Sequence, residues 1–137
     1  MGDLSKNFDS AEFACHCGCG LTVEKGARIV ASLQELRDRL GKPIAIISGA
    51  RCYAHNKAVG GAKHSQHMLL NAADIIAPGM KQSELLAIIE SMPEFKGIGI
   101  EWRGPVRYIH VDCRAKPARW SYGGKTYFQA KEFINGR

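Results

Sequence analysis

The stretch Gly60–Ile76, "GGAKHSQHMLLNAADII", decides how this chain is read. It holds two histidines, a serine and two amide side chains, and it sets Asp74 directly ahead of Ile75 and Ile76. A carboxylate entering an apolar strand is costly unless a cation or several donors compensate it. Residues 72–76 read as a short strand, and alternation places Asp74 on one face with Ala72 and Ile76. The later segment "VRYIHVD", residues 106–112, alternates in the same way and groups Val106, Tyr108, His110 and Asp112. If the two strands are neighbours, Asp74 and His110 point at one spot, and His67 reaches in from the preceding loop. Two imidazoles and a carboxylate suit a divalent ion such as zinc, and three protein ligands leave a fourth position open.

The elements around this constellation follow from pattern. In "FDSAEF", residues 8–13, Asp9 is a candidate N-cap, Glu12 its reciprocal partner, and Phe8 with Phe13 a hydrophobic staple. Ile29, Leu33, Leu36 and Leu40 recur at helical spacing, which predicts a helix from about Val23 to Leu40 closed by Gly41 and Pro43. "IAII", residues 44–47, reads as a buried strand. Residues 48–71 form a long polar, Gly-rich loop with one helical turn near Ala54–Val59, and a loop of that length is usually functional. A further helix spans Lys81 to Met92, burying Leu85, Leu86, Ile89 and Met92. Two strands then follow, 97–102 and 106–112, joined by a tight turn at Arg103-Gly104-Pro105. Simple pairing across that turn sets Glu101 opposite Arg107. The tail from Arg114 is a mixed segment that covers one sheet edge. The expectation is α+β: a small, mostly antiparallel sheet with flanking helices in a single domain over residues 1–137, acting as a monomer.

Composition narrows the classes. The 137 residues are 45% hydrophobic and 23% charged, ordinary for a globular domain. No stretch approaches the ~18–20 apolar residues of a membrane span. The first residues lack the basic-then-apolar layout of a secretion signal, so synthesis in the cytosol is the expectation. The net charge of +6 favours an anionic partner, such as nucleic acid, a membrane surface or an acidic cell-wall polymer. Its Lys and Arg residues are dispersed, with no basic run and no nucleic-acid module, so charge alone is a weak argument for nucleic acid.

"SGARCYAHNKAVGGAKHSQH", residues 48–67, followed by "AADI" at 72–75 and "YIHVD" at 108–112, resembles the core of the zinc D-alanyl-D-alanine carboxypeptidases and peptidoglycan endopeptidases. Their fold is related to the hedgehog signalling domain. An Arg-Trp pair such as Arg119-Trp120 is similar to one that often follows in that family, and the N-terminal "EFACHCGC", residues 12–19, resembles the start of its small, phage-type branch. The resemblance implies that His67, Asp74 and His110 bind zinc and that Arg51 and Ser65 contact a peptidoglycan stem peptide. The planar fork of Arg51 fits a peptide carboxylate through two parallel hydrogen bonds. It further implies an endolysin-like enzyme, made in the cytosol and acting on the bacterial cell wall. Two positions depart from the pattern: Leu70 stands where the family has glycine, and Ala50 where it has an aromatic.

The proton carrier has three candidates. Asp112 lies on the face of His110, about 7 Å along the strand, and is the favoured general base, with an orienting role as its rival. Glu101 and the loop residue His64 are the others, and Tyr108 is a candidate oxyanion donor. Loss of hydrolysis would leave a zinc-containing wall-binding module, the alternative reading. Cysteines 15, 17, 19 and 52 could gather at a metal, but their alternate spacing is not the Cys-x-x-Cys knuckle, so small buried thiols near the core are expected. Without a signal peptide, the odd count of five argues for reduced thiols.

Overall fold

The computed structural model describes residues 2–137 and bears out the α+β reading. A short 3-10 helix, Ser10–Phe13, leads to α1 (Arg28–Leu40), β1 (Ala45–Ser48), α2 (Tyr53–Ala58) and β2 (Ala72–Ile76). After α3 (Gln82–Glu90) come β3 (Gly97–Ile100), β4 (Ile109–Asp112), β5 (Ala118–Ser121) and α4 (Tyr127–Asn135).

The five strands form one sheet in the order β1-β2-β4-β3-β5. Neighbours run antiparallel except β3 and β5, which are parallel. Alternation divides the sheet into two faces. Ala73 and Ile75 of β2, Ile98 and Ile100 of β3, and Ile109 and Val111 of β4 join one core with Ile29, Leu33 and Leu36 of α1, Leu85, Leu86 and Ile89 of α3, and Ile134 of α4. Burying each such aliphatic side chain stabilises the fold by roughly 1.5–3 kcal/mol before entropy is counted. The opposite face carries the polar residues. One transverse row, read from the strand register, crosses all five strands: Ser48, Asp74, His110, Gly99 and Trp120.

Local chemistry explains the element ends. The Glu12 carboxylate accepts the Asp9 amide (2.8 Å), and Phe8 packs edge-on against Phe13 (ring centroids 5.9 Å apart), as the staple requires. Gly41 adopts φ 62° and donates to Arg37, which ends α1.

Three expectations are corrected. Helix α1 starts at Arg28 rather than near Val23. The β3–β4 pairing stops at Ile100 and Ile109, with the Glu101 amide donating to Tyr108, so the connection is wider than a three-residue turn. Glu101 therefore faces Tyr108 rather than Arg107, and its carboxylate binds Arg103 (2.8 and 3.1 Å) two residues on. The tail does cover an edge, as β5 on β3, and it then forms α4, a helix not expected there. Its capping box, Thr126 with Gln129, is legible in the sequence.

Candidate metal centre and its cleft

The register alone sets Asp74 opposite His110, as the alternating patterns anticipated. His67 arrives from a single helical turn over residues 66–69. The Asn71 amide closes that turn on the Gln66 carbonyl (3.2 Å) and the Leu70 amide on the His67 carbonyl (3.2 Å), a Schellman closure. Leu70 occupies the left-handed position at φ 58°, which glycine normally takes, and among the described residues it is the one non-glycine with positive φ. The departure at position 70 thus seats a leucine in a glycine conformation and adds strain. The turn is also fixed by Ser65 Oγ, which accepts the His67 amide (3.2 Å), and by the His67 carbonyl, which accepts the Arg51 amide (3.2 Å).

Three donor atoms converge. Asp74 Oδ1 lies 3.2 Å from His67 Nε2 and 3.0 Å from His110 Nδ1, and the two ring nitrogens are 3.2 Å apart. All three residues are buried, between 3 and 6% exposed. The outer nitrogen of each imidazole meets an acceptor. His67 Nδ1 is 2.7 Å from the Gly49 carbonyl, and His110 Nε2 is 2.7 Å from Asp112 Oδ2. Neither a carbonyl nor a carboxylate can donate, so each neutral ring carries its proton on the outer nitrogen. The inner nitrogens then present lone pairs to each other and to a carboxylate. Such a set requires a cation, either a proton or a metal, and its N, N and O donors suit zinc.

The electrostatics agree. Burial opposes the charge on Asp74, but when the two rings carry the extra proton, hydrogen bonding and attraction from His110 and His67 outweigh it and hold the carboxyl far below the usual carboxylate range. Burial likewise opposes protonation of His110, yet Asp112 and Asp74 raise its pKa above the ordinary 6.5 in the metal-free chain.

Asp112 sits behind His110. It is fully buried, and besides the imidazole it accepts the Arg114 amide (3.1 Å), Nε (2.8 Å) and Nη2 (2.7 Å). It does not line the cleft beside the constellation. That cleft, about 520 Å3, is walled by Arg51, His64, Ser65, Tyr108, Arg114, Trp120 and Tyr122, along with His67, Asp74 and His110. Glu101 lies outside its walls, tied to Arg103. Arg51 is anchored through Nη1 to Asn56 Oδ1 (3.1 Å) and through Nη2 to Ser48 Oγ (3.3 Å), with Nη2 also 4.0 Å from Asp74 Oδ2. Its buried Nε–H has no partner. Burial and then the charge of Asp74 push the Tyr108 hydroxyl well above its usual range, so it stays a donor.

Sequence reasoning missed the glycines that make room. A Cβ on Gly97 would fall 2.2 Å from the Asp112 carboxylate, and one on Gly99 would fall 2.6 Å from the Trp120 indole. That indole packs against His110, with ring centroids 5.0 Å apart. The signal was present, since alternate glycines inside a strand mark a close approach on one face. Arg114, which grips Asp112 and lies 5.0 Å over the Trp120 ring, was missed as well.

A sequence model of the family described as Peptidase M15 matches residues 6–112, a span that contains His67, Asp74, His110 and Asp112. No curated protein matches the chain.

Proposed function

Since the chain belongs to the Peptidase M15 family, which is zinc-dependent, we propose that it hydrolyses an amide bond in peptidoglycan stem peptides, as a D-Ala-D-Ala carboxypeptidase or an endopeptidase. The observation that carries this reading is the set of three buried acceptor atoms, from His67, Asp74 and His110, at the head of a cleft flanked by Arg51 and Arg114. Zinc held by those three side chains would supply Lewis acidity, polarising the scissile carbonyl and making a water more acidic.

The remaining roles fall to the chain's own groups. Arg51, held in the cleft wall by Asn56 and Ser48, supplies positive charge for a substrate carboxylate, and Ser65, in the same wall, fixes the turn that carries His67. Tyr108 donates its hydroxyl to the oxygen that gains charge. Asp112, which strand alternation favoured for proton transfer, is instead a positioning residue, because its oxygens are spent on His110 and Arg114. Among the described residues Asp74 is the one carboxylate in the cleft wall, so His64, exposed at the wall, is the group that carries the proton to the leaving amine. The net charge of +6 favours contact with a polyanionic wall, consistent with an endolysin role after synthesis in the cytosol.

The same scarcity of acids favours a second reading, a wall-binding module without hydrolysis. Purified peptidoglycan, incubated with the chain and examined by mass spectrometry, separates the two. Peptide fragments with new amine and carboxyl ends are expected; they should vanish with chelator, return with added zinc, and be absent with His67→Ala. Co-sedimentation with the wall and no released fragment, in zinc-loaded protein, would leave the binding module.

A further inference from the structure

Four cysteines that take no part in the cleft meet at one point. The sulfurs of Cys15, Cys17, Cys19 and Cys52 all lie within 4.8 Å of one another, and all four thiols are free. Cys15 Sγ is 3.5 Å from Cys17 Sγ, which is 3.6 Å from Cys52 Sγ. Sulfurs at the corners of a tetrahedron with metal–sulfur bonds of about 2.3 Å are about 3.8 Å apart, so little movement is needed to enclose an ion. The alternate spacing that argued against a site is accommodated by backbone: Gly18 and Gly20 take φ 85° and 90°, and the Cys15 amide closes the loop on the Leu21 carbonyl (2.7 Å). Cysteines 17 and 19 are exposed, which corrects the expectation of thiols buried in the core.

Two further observations point to a ligand. Backbone amides are aimed at sulfur, Cys52 N–H at Cys15 Sγ (3.4 Å) and His55 N–H at Cys52 Sγ (3.3 Å), and such donors favour thiolates. Residues 16–20 are all exposed, so the segment buries no side chain that would offset the entropy of its ordered path. We propose that Cys15, Cys17, Cys19 and Cys52 form a structural zinc site, closed by four thiolates, that fastens the N-terminal segment to the loop bearing Arg51. Sulfur-only ligation selects zinc or iron over harder cations, and with no position left open the ion is structural. The neighbouring backbone shows what the clamp would hold. The Phe13 carbonyl accepts the Ala50 amide (2.8 Å), and a Cβ on Gly49 would meet Phe13 at 2.7 Å, so the segment already abuts the strand end that supplies the Gly49 carbonyl to His67.

The test is metal content together with cobalt substitution of the reduced, full-length chain. Zinc-loaded protein should carry two ions, falling to one in Cys17→Ser/Cys19→Ser and to one in His67→Ala/His110→Ala. Cobalt-loaded wild type and the histidine variant should both show thiolate-to-cobalt charge-transfer absorption in the near ultraviolet, and the cysteine variant should lose it. If the cysteine variant fails to fold, the histidine variant and the wild-type spectrum still decide. Zinc content left unchanged by the cysteine substitutions, cobalt absorption without the thiolate band, or disulfides found by mass in the native chain would overturn the site, and visible absorption from bound iron would overturn zinc; a single zinc in the wild type that the cysteine variant loses still supports it. These readouts do not involve hydrolysis, so a failure of the peptidase reading leaves them unaffected.

Discussion

Asp112 accepts the Nε2 proton of His110 at 2.7 Å while itself wholly buried, and so determines which nitrogen of that ring faces Asp74. Partners of this kind typically contribute 10–100-fold to metal affinity. Asp112→Ala should therefore weaken zinc binding by about 10–100-fold, read by competition with a chromophoric chelator. Asp112→Asn, which keeps an acceptor for His110, should lose less. Unchanged affinity in the alanine variant would remove the positioning role.

Zinc affinity should fall with acidity earlier than for an ordinary histidine site. Asp112 and Asp74 raise the His110 pKa above 6.5 in the metal-free chain, so protons compete for that nitrogen at a pH where a free imidazole would already be neutral. The sign for the metal-free fold follows from the same shift: the stabilisation from protonated His110 is complete below 6.5 and is lost as pH rises through the raised value. Titrating zinc affinity between mildly acidic and mildly basic pH checks this, and affinity independent of pH across that window would contradict it.

Leu70 reverses the usual order of alanine and glycine. Its φ of 58° strains any side chain with a Cβ, at a cost of roughly 1–2 kcal/mol. Leu70→Ala keeps that strain and loses the packing of Leu70 against the core, whereas Leu70→Gly loses the packing and relieves the strain. The glycine variant should be the more stable of the two by about 1 kcal/mol in denaturant unfolding, although glycine elsewhere is usually the less stable. An alanine variant as stable as the glycine one would mean the turn relaxes.

Gly99→Ala should disturb the cleft from behind. The added methyl would sit 2.6 Å from the Trp120 indole, which packs on His110. Overpacking of this kind costs about 1–3 kcal/mol. A lowered melting temperature with altered tryptophan fluorescence is expected, and a variant that melts and fluoresces like the wild type would contradict it.

Much of the constellation was legible because strand alternation is a local property. The two-residue spacings in "AADII" and "YIHVD" put Asp74 and His110 on the polar face, and the register made them opposite partners. The capping signals at Asp9 and Gly41 were equally readable, as backbone ends demand particular side chains nearby. Helix α4 could have been read from Thr126 and Gln129, and its omission was a failure of reading rather than of signal.

What the sequence determined by itself was the inventory: the residue types, the faces they occupy within each element, and the family motifs. Only the tertiary structure decided which groups are spent and which are free. Asp112 turned inward to Arg114, Glu101 turned to Arg103 and away from Arg107, and cysteines far apart in the chain came within reach of one ion. The physical reason is that periodicity acts over a few residues, while the protonation and availability of a side chain depend on partners brought near by chain closure, which no short spacing encodes.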